Sequence, residues 1–365
     1  MAKDTRRNAP DKTQAEPLPT RHVFLDTQAY RAMGYGDTHG LLTQLGERVR
    51  DHRVVLHITD VTLRETERHI REEVERKVRD LELAIRAVVK LQERAEATST
   101  PFSAIDADAL AAAQFDRFCA KLRSLGTEKH AAFDLSPKPV FDLYFARKPP
   151  FDQPNAKEFP DAFMLEALRA WCEREDEELV VVTHDKALGR AAEVTERLYW
   201  IRDVKQILAA AAVEFAPEVD QEVEELLLAQ NFDGSYELAL EKAVADVPFV
   251  YVGDELDDGE AYDGSLSVVT AVTEWTPINL GTRWATVILR TEIEVEVEVG
   301  YVDRSEAMYD KEDGIWLGTK SATTMIYDVI VANVLTEIDR QDGTVRTATV
   351  LNQELEVSSS EPHIY

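Results

Sequence analysis

The first two hundred residues alternate in a way that leaves this chain few architectures. Short, mostly apolar runs at 23–25, 54–58, 179–183 and 198–201 are separated by stretches of helical periodicity at about 38–51, 60–96, 104–124 and 160–174, with a short one after Asp185. Apolar runs of this length mark strands buried on both faces, which occur in parallel sheets covered by helices. Strand–helix alternation therefore predicts an α/β fold for this part. In the longest helix Ile70, Val74, Val78, Leu81, Ile85, Val88 and Leu91 recur at three- and four-residue steps, opposite Arg71, Glu72, Glu75, Arg76 and Arg79. The expected helix is amphipathic, its stripe in the core and its charged face in water; a coiled-coil seam is the narrower alternative.

After about residue 213 the pattern changes. A polar helix is expected at 217–245, followed by an acidic loop (Asp254, Glu255, Asp257, Asp258, Glu260) and then by period-two segments. Glu292, Glu294, Glu296 and Glu298 alternate with Ile293, Val295, Val297 and Val299, as in a strand with one wet and one buried face. Alternate residues of one strand spread along it, so the glutamates read as a solvated face and not as a calcium site. Further strands are expected at 266–272, 284–289, 323–334 and 345–357, making an acidic, mostly antiparallel β domain, a sandwich or barrel. A length of 365 residues suits two such domains. The expected division is a disordered lead over 1–20, an α/β domain over 21–213, and the helix plus β domain over 214–365.

Charge separates the same two parts. The net charge is −28, of which about −3 falls in residues 1–205 and about −25 in 206–365. Such an excess of acid excludes a general nucleic-acid coat protein, which needs Lys and Arg for phosphates, but the nearly neutral first part escapes that exclusion. The longest apolar run, 207–213, is too short to span a membrane, and Lys3, Arg6 and Arg7 have no apolar segment behind them to make a signal peptide. A cytoplasmic protein without a membrane anchor is the expectation. Cys119 and Cys172 have no nearby Cys or His partner in sequence, so a disulfide framework and a cysteine zinc site are both disfavoured, leaving oxygen ligands for any metal.

The placement of certain acids is more informative than their number. Asp26 directly follows Val23, Phe24 and Leu25, and Asp185 follows the run 179–183 and His184, so both stand just beyond the carboxyl ends of buried strands, where open α/β sheets hold their ligands. Asp161 follows Pro160 at a helix start and shares a face with Leu165, Leu168 and Cys172. A carboxylate on a core-facing stripe must cap the helix, meet a cation side chain or bind a metal ion. Glu65 stands near the start of the long helix. Acids from four strand–helix junctions of one sheet can meet at one edge, where an all-oxygen site suits Mg²⁺ or Mn²⁺ and phosphodiester hydrolysis by metal-activated water. Spacing alone leaves separate caps and salt bridges as an equal alternative.

Four short segments in order resemble the PIN domain ribonucleases: Val23-Phe24-Leu25-Asp26-Thr27, Ile58-Thr59-Asp60-Val61-Thr62-Leu63-Arg64-Glu65, Lys157-Glu158-Phe159-Pro160-Asp161-Ala162-Phe163 and Val181-Val182-Thr183-His184-Asp185. The resemblance covers about residues 22–205. It implies a PIN-like parallel sheet flanked by helices, with a helical insertion between Glu65 and Asp161 that the compact toxin relatives lack and that is closer to larger bacterial PIN-like proteins. It implies Asp26, Glu65, Asp161 and Asp185 as catalytic metal ligands, with Thr183 as a supporting hydroxyl. Helical phase sets Glu67 nearer the apolar stripe, and only the motif prefers Glu65. Asp60 reads as the cap of the long helix. Gln28 occupies the place where an aspartyl-nucleophile phosphatase would carry its second Asp, which disfavours that reading.

The segment 136–159 interleaves Lys138, Arg147, Lys148 and Lys157 with Phe141, Tyr144, Phe145, Phe151 and Phe159. Arg147, Lys148 and Lys157 are the substrate-binding candidates, since cations among aromatics track a phosphate backbone and stack unpaired bases. The plainer alternative is that the aromatics pin a proline-rich loop. His57, His69 and His184 read as local hydrogen-bonding groups. The function expected is a metal-dependent endoribonuclease acting on single-stranded RNA. A DNA or flap-type nuclease keeps the same site, and an inactive PIN-fold scaffold binding a protein partner, or a second copy, through its acidic β domain belongs to another class.

Overall fold

The computed structural model describes residues 11–12, 16–35, 40–94, 104–152, 158–215, 217–228, 234–305, 307–310 and 315–358. They divide into one unit of Leu18–Ile207 and another of Met1–Pro17 with Leu208–Tyr365. The first strand, β1 (Asp11–Lys12), belongs to the second unit, although 1–20 was expected to be a disordered lead.

The first unit runs β2 (His22–Leu25), α1 (Thr27–Ala32), α2 (Leu41–Arg50), β3 (Val55–Thr59), α3 (Asp60–Arg94), α4 (Ala107–Ser124), β4 (Glu128–His130), α5 (Lys138–Phe145), α6 (Phe159–Glu175), β5 (Leu179–Val182), α7 (Lys186–Glu193) and β6 (Leu198–Ile201). Its strands lie in the order β4-β3-β2-β5-β6, and every pairing is parallel. This is the expected α/β sheet. The chain builds outward from β2 to β4 on one side, then crosses to β5 and β6 on the other, so the order reverses between β2 and β5. Such a reversal opens a crevice beyond the strands' carboxyl ends. Both strands are buried at every residue, which explains their apolar sequences.

The stripe of α3 divides in two. Ile70 and Val74 are buried, whereas Leu81, Val88 and Leu91 are exposed, so the intramolecular core expected along the whole helix covers only its first half. The helix α4 ends at Gly126, whose φ of 64° lets its N–H reach Arg123 O while Thr127 N–H reaches Leu122 O. Glycine adopts that left-handed turn without strain, and the turn delivers the chain into the edge strand β4. Neither β4 nor α1 nor α5 was expected from sequence: β4 is three polar residues on a sheet edge, with no apolar pattern to betray it.

The division between units falls inside α8 (Val204–Phe215). The second unit continues with α9 (Pro217–Leu228), α10 (Ser235–Ala245), β7 (Phe249–Tyr251), β8 (Glu260–Leu280), β9 (Trp284–Asp303), β10 (Met308–Asp310), β11 (Ile315–Leu317), β12 (Lys320–Asp339), β13 (Val345–Val350) and β14 (Leu355–Val357). The helix expected over 217–245 is thus two helices, the second entered through Gly234 at φ 79°. The order β1-β8-β9-β12-β13 is one open sheet, antiparallel from β8 to β13. A full sandwich or closed barrel is absent among the described residues. Tyr236, Leu240 and Val244 of α10 and the small β7–β14 sheet cover the buried face instead, joining Ile293, Val295, Val297 and Val299 in one core. The four glutamates between those residues lie on the other face, as their alternation predicts. No helix among the described residues is long and apolar enough to cross a membrane.

Candidate active site

Asp26 is the residue after β2, and its backbone N–H donates to Val182 O of β5 at 3.1 Å. This places its side chain at the crevice between the two central strands. Oδ1 accepts from the Ala29 N–H at 2.6 Å, capping α1, and Oδ2 accepts from the Thr183 hydroxyl at 2.5 Å. Thr183 is fully buried, and its carbonyl accepts from Trp200 Nε1–H at 3.0 Å. Gly189 makes room for that indole: a Cβ there would lie 2.2 Å from Trp200 Cε2. Thr183 Oγ1 in turn accepts the Asp185 N–H at 2.9 Å, and Asp185 Oδ1 caps α7 by accepting from Ala187 and Leu188 N–H at 2.6 and 3.2 Å. On the other side of Asp26, the Thr27 hydroxyl donates to Glu65 Oε2 at 2.8 Å. Bonded contacts therefore run from Glu65 through Thr27 and Asp26 to Thr183 and Asp185. Capping and clustering, read from sequence as alternatives, coexist because each carboxylate has more lone pairs than its cap uses.

Asp161 enters from α6, in its first turn. Burial, and then the negative charges of Glu65, Glu158, Asp185 and Asp26, push its carboxyl up to about 7. Those named charges bring all four predicted acids within electrostatic reach of one another. Burial also raises Asp26, against the hydrogen bonds from Thr183 and Ala29 that favour its ionised form. Among the described residues no hydrogen bond or salt bridge reaches the Asp161 carboxyl. An all-oxygen set of buried acids with no cation side chain to balance it fits a hard divalent ion such as Mg²⁺ or Mn²⁺, whose charge would reverse the upward shift.

Nearby acids fall elsewhere. Glu67 faces Arg64 and Arg71, at 3.7 and 3.9 Å, rather than Thr27. Asp60 is not the cap of α3: Thr59 Oγ1 accepts from the Thr62 N–H at 3.1 Å, while Asp60 grips the chain after β4 through the N–H groups of Ala132 and Phe133, at 2.8 and 3.4 Å.

A cleft of about 510 Å³ adjoins the cluster, lined by Arg64, Glu65, Arg68, Phe133, Phe159 and Phe163 among others. Sequence reasoning missed Arg64, Arg68 and Phe133 as candidates; the four-residue step from Arg64 to Arg68, with Glu65 beside it, was the available signal. In the segment expected to bind substrate, Phe151 is buried and Tyr144 packs edge-on against it with ring centroids 5.3 Å apart, so part of the segment is packing. Arg147 and Lys148 are exposed, as is Phe145, whereas Lys157 lies outside the described residues.

Residues 23–187 match the family model described as a PIN domain. Neither the curated proteins nor the solved structures give a match to the chain.

Proposed function

From the premise that residues 23–187 form a PIN domain, a family of nucleases, we propose that this protein is a metal-dependent endoribonuclease acting on single-stranded RNA. The observation that carries this is the meeting of Asp26, Glu65, Asp161 and Asp185 around a region whose negative charge no described side chain balances. These four would hold Mg²⁺ or Mn²⁺. When bound, such ions lower the pKa of water and offset charge on phosphate oxygens. The chain's own part is positional. Thr183 fixes the rotamer of Asp26 while staying bonded to the backbone of Asp185, and Thr27 does the same for Glu65. Asp161 has to surrender its proton before it can ligate.

The cleft beside Glu65 supports a single-stranded substrate, since Arg64 and Arg68 suit phosphates and Phe133 suits a base face. Unpaired Cys119 and Cys172 suit a reducing compartment, and the cytoplasm is the proposed location. The test is cleavage of labelled single-stranded RNA and DNA by the purified protein with Mg²⁺ or Mn²⁺. Cleavage of RNA that stops in chelator and in Asp26→Asn is expected. Preference for DNA would move the proposal to a DNA nuclease, and metal-dependent cleavage of neither would favour the scaffold reading.

A further inference from the structure

Outside the carboxylate cluster, the first unit holds three histidines in a row across three adjacent strands. His22 Nδ1 lies 2.9 Å from His57 Nε2, and His57 Nδ1 lies 2.8 Å from His130 Nε2. Trp171 of α6 packs against all three rings. Glu128, two residues before His130 and on the same side of β4, brings Oε2 to 3.8 Å from His57 Nδ1. One donor atom from each of His57, Glu128 and His130 lies within 4.8 Å of the others.

We propose that His57 Nδ1, His130 Nε2 and a Glu128 carboxylate oxygen bind a borderline transition-metal cation, with Zn²⁺ as the fitting ion, at a site separate from the four acids. Two imidazoles and one carboxylate with an open fourth position are a known zinc ligand set. Bonds of roughly 2.0–2.2 Å in a tetrahedron set ligand atoms about 3.3 Å apart. The 2.8 Å and 3.8 Å separations straddle that value, so small side-chain rotations meet it. The edge position of β4 leaves Glu128 half exposed, giving the ion an entry path and the fourth ligand a source in solvent.

The second shell supports the same reading. Histidines that ligate zinc commonly donate their other ring N–H to a partner. With His57 ligating through Nδ1, its Nε2–H donates to His22 Nδ1, which puts the remaining His22 proton on Nε2. That nitrogen is buried and makes no hydrogen bond, but it stands 3.9 Å from a Glu177 carboxylate oxygen. One tautomer assignment thus orders the whole row, from carboxylate through His22 and His57 to the cation. Burial also keeps the His57 and His130 rings neutral at physiological pH, His57 down to about 3 and His130 to about 4, the form in which imidazole ligates.

The experiment titrates Zn²⁺ into full-length, chelator-stripped protein in excess Mg²⁺, following bound metal and melting temperature. His57 is wholly buried and its replacement risks misfolding, so the variants are His130→Asn and Glu128→Gln, checked for native circular dichroism, alongside Asp161→Asn. One Zn²⁺ equivalent that raises the melting temperature, survives Asp161→Asn and weakens at least about tenfold in both other variants is expected. Absence of Zn²⁺ binding, or binding that His130→Asn leaves unchanged, would overturn the proposal. So would a Zn²⁺ equivalent lost in Asp161→Asn alone, since that places the ion among the acids. None of these readings depends on RNA cleavage.

Discussion

Each unit of this protein carries a set of four acids, and the two sets behave as different chemical objects. In the first unit Asp26, Glu65, Asp161 and Asp185 come from separate elements and converge beyond the carboxyl ends of β2 and β5. In the second, Glu292, Glu294, Glu296 and Glu298 come from one strand, β9, on which same-face residues stand roughly 7 Å apart. Convergence buries charge, and Asp161 responds with a carboxyl raised to about 7. Alignment along a strand leaves each glutamate on the outer face, where Tyr327 OH donates to Glu296 at 2.7 Å and water can reach the rest. Topology, not composition, turns acids into a candidate metal site, and the more acidic unit is the one without such a site.

The hardest blow to this contrast falls on the converging set. Asp26→Asn and Asp161→Asn should each lower metal-dependent RNA cleavage by about 10³-fold, since each removes a ligand from ions whose charge stabilisation amounts to several kcal/mol. Glu67→Gln, on the same helix as Glu65 but facing Arg64 and Arg71, should change cleavage less than about twofold, whereas Glu65→Gln should resemble the aspartate variants. Equal losses at Glu65 and Glu67 would show a general charge effect rather than convergence.

Much of this was legible because parallel strands buried on both faces are written as apolar runs, which placed Asp26 and Asp185 at strand ends, and because Pro160 announced the helix start at Asp161. What stayed hidden lacked such a signal. The strand β4 is short and polar, so nothing marked Glu128 and His130 as neighbours of His57. The row of histidines is separated by 35 and 73 residues, and only strand pairing brings it together. The expectation that any metal must meet oxygen ligands rested on Cys and His being far apart in sequence, which the sheet makes irrelevant. In the second unit, alternation gave the wet and dry faces of β9 correctly, but alternation does not say what covers the dry face. There α10 and the β7–β14 sheet stand where a second full sheet was expected.

A pH series sharpens the comparison next. The folded-state carboxyl of Asp161 is raised above its unfolded value, so its protonation adds stability that is full below about pH 4 and is lost as pH rises through about 7. In metal-free protein the melting temperature of Asp161→Asn, relative to wild type, should therefore climb from acid to neutral pH and level off above about pH 8. Saturating Mg²⁺ should shrink the difference by stabilising the ionised wild type. A difference independent of pH would mean that Asp161 is not held among the other acids.

Smaller still is the effect of the cations that would meet substrate. Arg64→Ala with Arg68→Ala should weaken RNA binding for all sequences and lower the slope of log affinity against log salt by about 2 at most. Arg147→Ala with Lys148→Ala tests the alternative segment in the same assay. The cleft assigns the larger change to the first pair, because it adjoins Glu65. A larger change from the second pair would move the binding surface to the exposed residues around Phe145.

The smallest effect belongs to the acids that do not converge. Replacing Glu292, Glu294, Glu296 and Glu298 together by Gln removes four like charges from one face of β9 but keeps every acceptor, including the one Tyr327 uses. Neighbouring like charges in a sheet cost at most about 1 kcal/mol, so stability should rise slightly, and cleavage at moderate salt should be unchanged. The remaining question is whether the charge of about −25 in residues 206–365 acts on RNA through its field. A field is screened over roughly 8–10 Å at 0.1–0.15 M salt and reaches about 30 Å at 0.01 M. If the row is only a wet face, the quadruple variant cleaves at the wild-type rate at both salt concentrations. Faster cleavage by the variant at 0.01 M that disappears at 0.15 M would show the second unit repelling substrate from a distance, and the contrast between converging and aligned acids would then be one of two roles in the same reaction.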